Sequence, residues 1–197
     1  MSPLQRIAMG LVIVVGNAYF PANPHPSWKT YDGLADPLGW LLVLAGLVPL
    51  ARTGLALDGA RWAAYVATAV SIPMFLPQVR HELNDSGEWA LSLPQIIFCL
   101  LLAKEVAEQA ATNHPDAYIA RRFGLLLWAY ALVAVLPAIV IGAELHDFDT
   151  AALGFAVLTN VAFIFYLFRV HRRTWLGGPG PLEIHPRAPG NDGSRPD

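Results

Sequence analysis

The sequence predicts an all-α fold: a bundle of six transmembrane helices with both termini in the cytoplasm. Three observations carry this. Six apolar stretches fill most of the 197 residues, and with 55% of residues hydrophobic and 14% charged the balance is too apolar for an ordinary soluble domain. The basic residues sort between alternate gaps. Arg6, Arg52, Arg61, Lys104, Arg121, Arg122, Arg169, Arg172 and Arg173 fall on one predicted side, and only Lys29 and Arg80 on the other before the tail. That other side is acidic, with Asp32, Asp36, Glu82, Asp85, Glu88, Glu144, Asp147 and Asp149. Lys and Arg concentrate on the cytoplasmic side of membrane proteins, so the alternation orients the chain in a cell membrane.

The expected spans are residues 4–20, 37–54, 60–79, 89–108, 119–143 and 149–172, each near the roughly 20 residues that cross a bilayer. The first, with Arg6 before an apolar run and small Gly16 and Ala18 after it, loosely fits a signal peptide but is read as a retained span. Asp36-Pro37 opens the second with an N-cap carboxylate and a proline where no N–H is needed. The fourth runs on beyond the membrane through Lys104, Glu105, Glu108 and Gln109, whose i,i+4 spacing suits a solvated extension. Asn113-His114-Pro115-Asp116 then starts the fifth. Trp28, Trp40 and Trp89 mark the outer boundary, with Trp62 and Trp175 at the inner one. Residues 1–176 form the span domain. Residues 177–197, rich in glycine, proline and polar groups, are expected to form a disordered cytoplasmic tail.

The three hairpins match in outline. Arg6, Arg61 and Arg122 open the odd spans, Pro21, Pro77 and Pro137 follow, and His25, His81 and His146 occupy the outer gaps. That is the signature of three helical-hairpin repeats, although topology imposes the charge alternation and prolines collect at span ends. Small residues at spacings of three or four (Ala60, Ala64, Ala67 and Ser71; Ala134, Ala138 and Gly142) put the third and fifth spans at the bundle centre.

Absent groups limit the chemistry. No Asp, Glu, Lys or His lies near the midplane of a predicted span, where such groups are costly and usually functional. This argues against a buried proton relay, against the Schiff-base lysine that retinal needs, and against bis-histidine haem. The acidic outer face argues against nucleic acid as a partner. Cys99 is the sole cysteine, so no internal disulfide forms. The polar groups within spans are short and uncharged. They serve either as interhelical glue or as the lining of an outward-facing vestibule, for which the candidates are Asn17, Gln78, Gln95, Glu144 and Asn160. Pro73, Pro77, Pro94 and Pro137 each delete a backbone hydrogen bond and favour such an opening in the outer half. At the rim, His25, His81, Glu82, His146 and Asp147 offer imidazoles and carboxylates suited to zinc or copper. The same groups also fit a pH-sensitive rim or plain solvated loops.

The segment Asp32-Gly-Leu-Ala-Asp36-Pro-Leu-Gly-Trp40 resembles a helix-opening pattern of uncharacterised bacterial multi-pass membrane proteins. The resemblance implies no activity. Pro77-Gln78 and Pro94-Gln95 share their residue pair with the PQ-loop sugar transporters. They stand on consecutive spans rather than in matched positions of two three-helix repeats, so that family is not carried over. Three functional classes remain: a non-enzymatic unit binding or transporting a small molecule or cation, a metalloprotein or enzyme of the outer face, and an accessory or scaffold subunit.

Overall fold

The computed structural model describes residues 1–16, 19–20, 31–32, 35–143 and 146–180. Seven α-helices follow in order: α1 (Pro3–Val15), α2 (Asp36–Ala51), α3 (Asp58–Met74), α4 (Pro77–His81), α5 (Asp85–Thr112), α6 (Ala117–Gly142) and α7 (Asp149–Val170). Trp28, Lys29, Pro21 and residues 181–197 lie outside the described residues.

Local chemistry accounts for the boundaries. Ser2 caps α1 by accepting from the Gln5 amide at 3.2 Å, with Pro3 behind it, and Asn84 and Asp116 cap α5 and α6 through the Gly87 and Ile119 amides. At α2 the N-cap is Ala35, whose side chain cannot cap. Asp36 is instead the first helical residue, where its charge still meets the positive end of the helix dipole. The expected first span is shorter than foreseen: α1 stops at Val15 and Gly16 is extended. Beyond it, strand β1 (Tyr19–Phe20) pairs antiparallel with β2 (Tyr31–Asp32), and among the described residues the only strands are in this two-rung ladder. The expected third span is broken after Met74. Pro77 disfavours helical backbone at Leu76, so α3 ends and α4 restarts at the proline. The fourth extends as foreseen, with a Lys104–Glu108 ion pair at 3.7 Å.

Six helices close a ring in chain order: α1, α2, α3, α5, α6, α7, with α7 returning to α1. Apart from Arg80 of α4, the basic residues of the described helices and their ends collect at one end of this ring. There the Gln109 amide donates to Gly54 O at 3.4 Å, Arg173 pairs with Asp116 at 2.8 Å and His114 stacks on Trp175. This half is solidly packed by fully buried Leu4, Ile7, Leu50, Leu102, Phe123 and Leu167. Four residues of the expected tail are placed here as well. The Gly178 and Gly180 amides return to Arg173 O and Arg172 O at 2.9 and 3.0 Å.

Helices α1 and α2 approach closely at Gly39, where a glycine at the start of the second span permits it. A Cβ on Gly10 would sit 2.5 Å from Gly39 O, and one on Gly39 would sit 2.7 Å from Gly10 O, so α1 and α2 touch backbone to backbone. The α3 alanines do face inward, with Ala60, Ala64, Ala67 and Ser71 all buried. The corresponding α6 stripe does not: Ala138 and Gly142 are exposed, and a Cβ on Gly142 would meet nothing within 4 Å. Helix α5 packs on both α3 and α6, its two neighbours in the ring.

Three helical stretches, Ser86–Thr112, Ala117–Gly142 and Asp149–Val170, are long and apolar enough to cross a membrane, and α1 and α2 are shorter apolar helices. Exposed residues of α6 (Leu125, Trp128, Leu132, Val135 and Ile139) recur every three or four positions, forming one apolar stripe facing away from the bundle. Such a surface is costly in water and natural in lipid.

Candidate functional site

Helix α5 carries a polar stripe: Glu88, Ser92, Gln95 and Cys99. Spacings of four, three and four hold these residues on one helix face. Toward the acidic end of the bundle this face opens on two cavities. One, of about 540 Å³, lies between α5, α6 and α7 and is bounded by Glu88, Trp89, Ser92 and Gln95 of α5, Val133, Pro137 and Val140 of α6, and Asp149, Leu153 and Asn160 of α7. The other, of about 250 Å³, lies between α2, α3 and α5 and includes Asp36, Trp40, Ala67, Ser71 and again Glu88, Ser92 and Gln95.

The larger cavity follows from how α7 packs. Its buried residues, Thr159, Phe163, Leu167 and Val170, begin only at its eleventh position. Before that point α7 turns Ala152 and Ala156 toward the cavity, and these are too small to fill it. On the facing wall, Pro137 has no amide to give to Val133 O, and its ring crowds the preceding turn. The indole Nε1 of Trp89 donates to Ala134 O at 3.2 Å, tying α5 to α6 three residues before Pro137.

The floor is polar, and the packing beneath it is aromatic. The Tyr130 hydroxyl donates to Asn160 Oδ1, and Asn160 Nδ2 donates to Ala156 O, both at 3.0 Å. Below, Tyr130 and Phe123 each meet Phe163 edge to face, and Cys99 is fully buried. Ser92 spends its hydroxyl on Trp89 O at 2.7 Å. Gln95 is half-buried and hydrogen-bonds to no other described residue, so its amide is available to the cavities. Glu88 and Asp149 are exposed at the mouth.

Of the vestibule residues expected from sequence, the structure brings Gln95 and Asn160 to one cavity. Gln78 is exposed on α4 and belongs to neither cavity. Asn17, Glu144 and His25 lie outside the described residues, as do the side chains of His81 and His146. Glu82 and Asp147 are exposed and line neither cavity. Among the described residues, no three His, Cys, Asp or Glu side chains are grouped to hold a metal ion. Sequence reading missed Tyr130, because a lone tyrosine in an apolar run resembles core. The α5 stripe was legible in principle from its helical spacing. Comparison of the chain with protein-family models, with curated proteins and with solved structures finds no match.

Proposed function

We propose that the chain is a six-span protein of the cell membrane, with both termini in the cytoplasm. In this reading the acidic end of its bundle is a non-enzymatic binding site, opening outward, for a small amphipathic cation. The single observation that carries this is the cavity between α5, α6 and α7. Its volume of about 540 Å³ falls in the range of small-molecule sites. Two carboxylates, Glu88 and Asp149, stand at its mouth, apolar Val133, Val140 and Leu153 wall it, and Gln95 and Asn160 offer amides within. Carboxylates at a rim raise the local concentration of cations, and apolar walls reward an organic body.

The topology rests on the sorting of basic residues to one end of the ring and on the positive-inside rule. The helical-hairpin pairs α1–α2, α3–α5 and α6–α7 are in keeping with a threefold repeat, but they differ in packing: glycine contact in the first, an open cleft in the third. Binding is favoured over passage, because the bonded Tyr130–Asn160 pair and the aromatic packing under it close the cavity inward.

The test uses the full chain in lipid nanodiscs, with benzyltrimethylammonium as cationic probe and neopentylbenzene as its neutral isostere. Calorimetric titration is expected to show tighter binding of the cation. Glu88→Gln should weaken that binding about fivefold, the order of one exposed charge pair, and Gln95→Leu should weaken both probes. Equal affinity for the two probes, unaffected by either substitution, would overturn the proposal.

A further inference from the structure

At the opposite, basic end, a cavity of about 630 Å³ lies where α6 begins and α7 ends, bounded by Tyr118, Arg169, Arg172, Arg173, Thr174 and Trp175. Its charge is held in a particular way. Arg173 pairs with Asp116 at 2.8 Å, the carboxylate that also caps α6. Arg122 and Arg169 instead lie over the Tyr118 ring, at 5.6 and 5.5 Å from its centroid. Arg172 is fixed by its Nε, which donates to Gly180 O at 2.9 Å, leaving its terminal nitrogens free of that bond. Among the described residues, Arg122, Arg169 and Arg172 pair with no carboxylate. The guanidinium groups are therefore oriented by rings and backbone rather than neutralised.

We infer that this cavity binds the phosphate of an anionic phospholipid headgroup. Arginine is the side chain best matched to phosphate, offering planar, paired N–H donors. Aromatic rings stack with guanidinium groups while leaving their in-plane donors available to an anion. The position favours a lipid over a soluble phosphate. The cavity lies at the end of the apolar stripe of α6, with Tyr118 and Trp175 as the amphipathic rings that sit at headgroup depth. Basic pockets between spanning helices bind such headgroups. The site is at the other end of the bundle from the acidic cavity and does not depend on a ligand there.

The experiment measures Tm of the full chain in nanodiscs of phosphatidylcholine, alone or mixed with phosphatidylglycerol, and in phosphatidylcholine with added inorganic phosphate. Phosphatidylglycerol is expected to raise Tm by about 5 °C and inorganic phosphate to leave it unchanged. The rise should vanish in R169Q/R172Q and persist in R121Q, which removes a charge from the same end without touching the cavity. Equal Tm in the two lipid mixtures overturns the inference. So does a rise lost equally in R121Q, which would mark general surface charge, and so does inorganic phosphate matching the lipid. Should R169Q/R172Q fail to fold, native mass spectrometry of the wild-type chain decides. Retention of one phosphatidylglycerol under activation that strips phosphatidylcholine supports the site, and simultaneous loss of both lipids refutes it.

Discussion

The Tyr130 hydroxyl donates to Asn160 Oδ1 at 3.0 Å, joining α6 to α7 at the level where the acidic-end cavity stops and solid packing begins. Tyr130 is almost wholly buried, so this bond is made in apolar surroundings. Tyr130→Phe leaves Asn160 Oδ1 without its donor and should cost about 1 kcal/mol, in the range measured for polar contacts between membrane helices. Tyr130→Phe combined with Asn160→Leu should cost less than the sum of the two, because no orphaned group remains. A double-mutant cycle on denaturant unfolding in detergent checks this. Additive costs would mean that the bond contributes nothing.

The contact of Gly10 with Gly39 sets a second expectation. Gly39→Ala places a methyl group 2.7 Å from Gly10 O, against backbone that cannot rotate away. The loss should be about 2 kcal/mol. Gly124→Ala, in the interior of α6 with nothing within 4 Å of the added carbon, should instead be neutral or stabilising by up to about 1 kcal/mol, from helix propensity. Thermal unfolding of both variants in the same detergent tests the contrast, and equal effects would contradict the close approach.

Trp89 and Pro137 should be coupled. The indole donates to Ala134 O where Pro137 opens the helical ladder. Trp89→Phe is expected to destabilise by about 1 kcal/mol in the natural background and by less in Pro137→Ala, where the restored amide tightens the turn. Tm measured for the single and double variants reads this directly. An identical penalty in both backgrounds would separate the bond from the proline.

Cys99 is fully buried between helices, and reagents for thiols need an exposed sulfur. N-ethylmaleimide should leave the native protein unlabelled and modify it after denaturation, as read by mass spectrometry. A silent native thiol also provides the background for mapping topology. Single cysteines at Glu82 and Asp147, both exposed, should label with an impermeant maleimide from outside intact cells, and one at Arg121 should not. The reverse pattern would invert the proposed orientation.

Sequence patterns located the helices well where the signal was local. The Asp116 cap, the solvated extension of α5 and the start of α7 at Asp149 were all legible, because capping and apolar length act within a few residues. The break between α3 and α4 needed more weight on Pro77 than an unbroken apolar run suggested. Half of the candidate site was legible in the same sense. Gln95 and Asn160 stood out as polar residues in apolar runs, but nothing local linked them to each other or separated them from Gln78.

What the sequence determined by itself is the apolar, helical character of the chain and the separation of its basic and acidic gaps. Lipid requires long apolar segments whose backbone bonds are satisfied internally, and charge at bilayer depth is costly. Only the tertiary structure decided which helices meet. Gly10 reaches Gly39, Tyr130 reaches Asn160 and the arginines gather round Tyr118 through contacts between distant segments. Those contacts depend on packing volume across the whole ring, which helical periodicity does not encode. The cavity arises in the same way: the small residues of α7 leave space only because larger ones on α5 and α6 hold the walls apart.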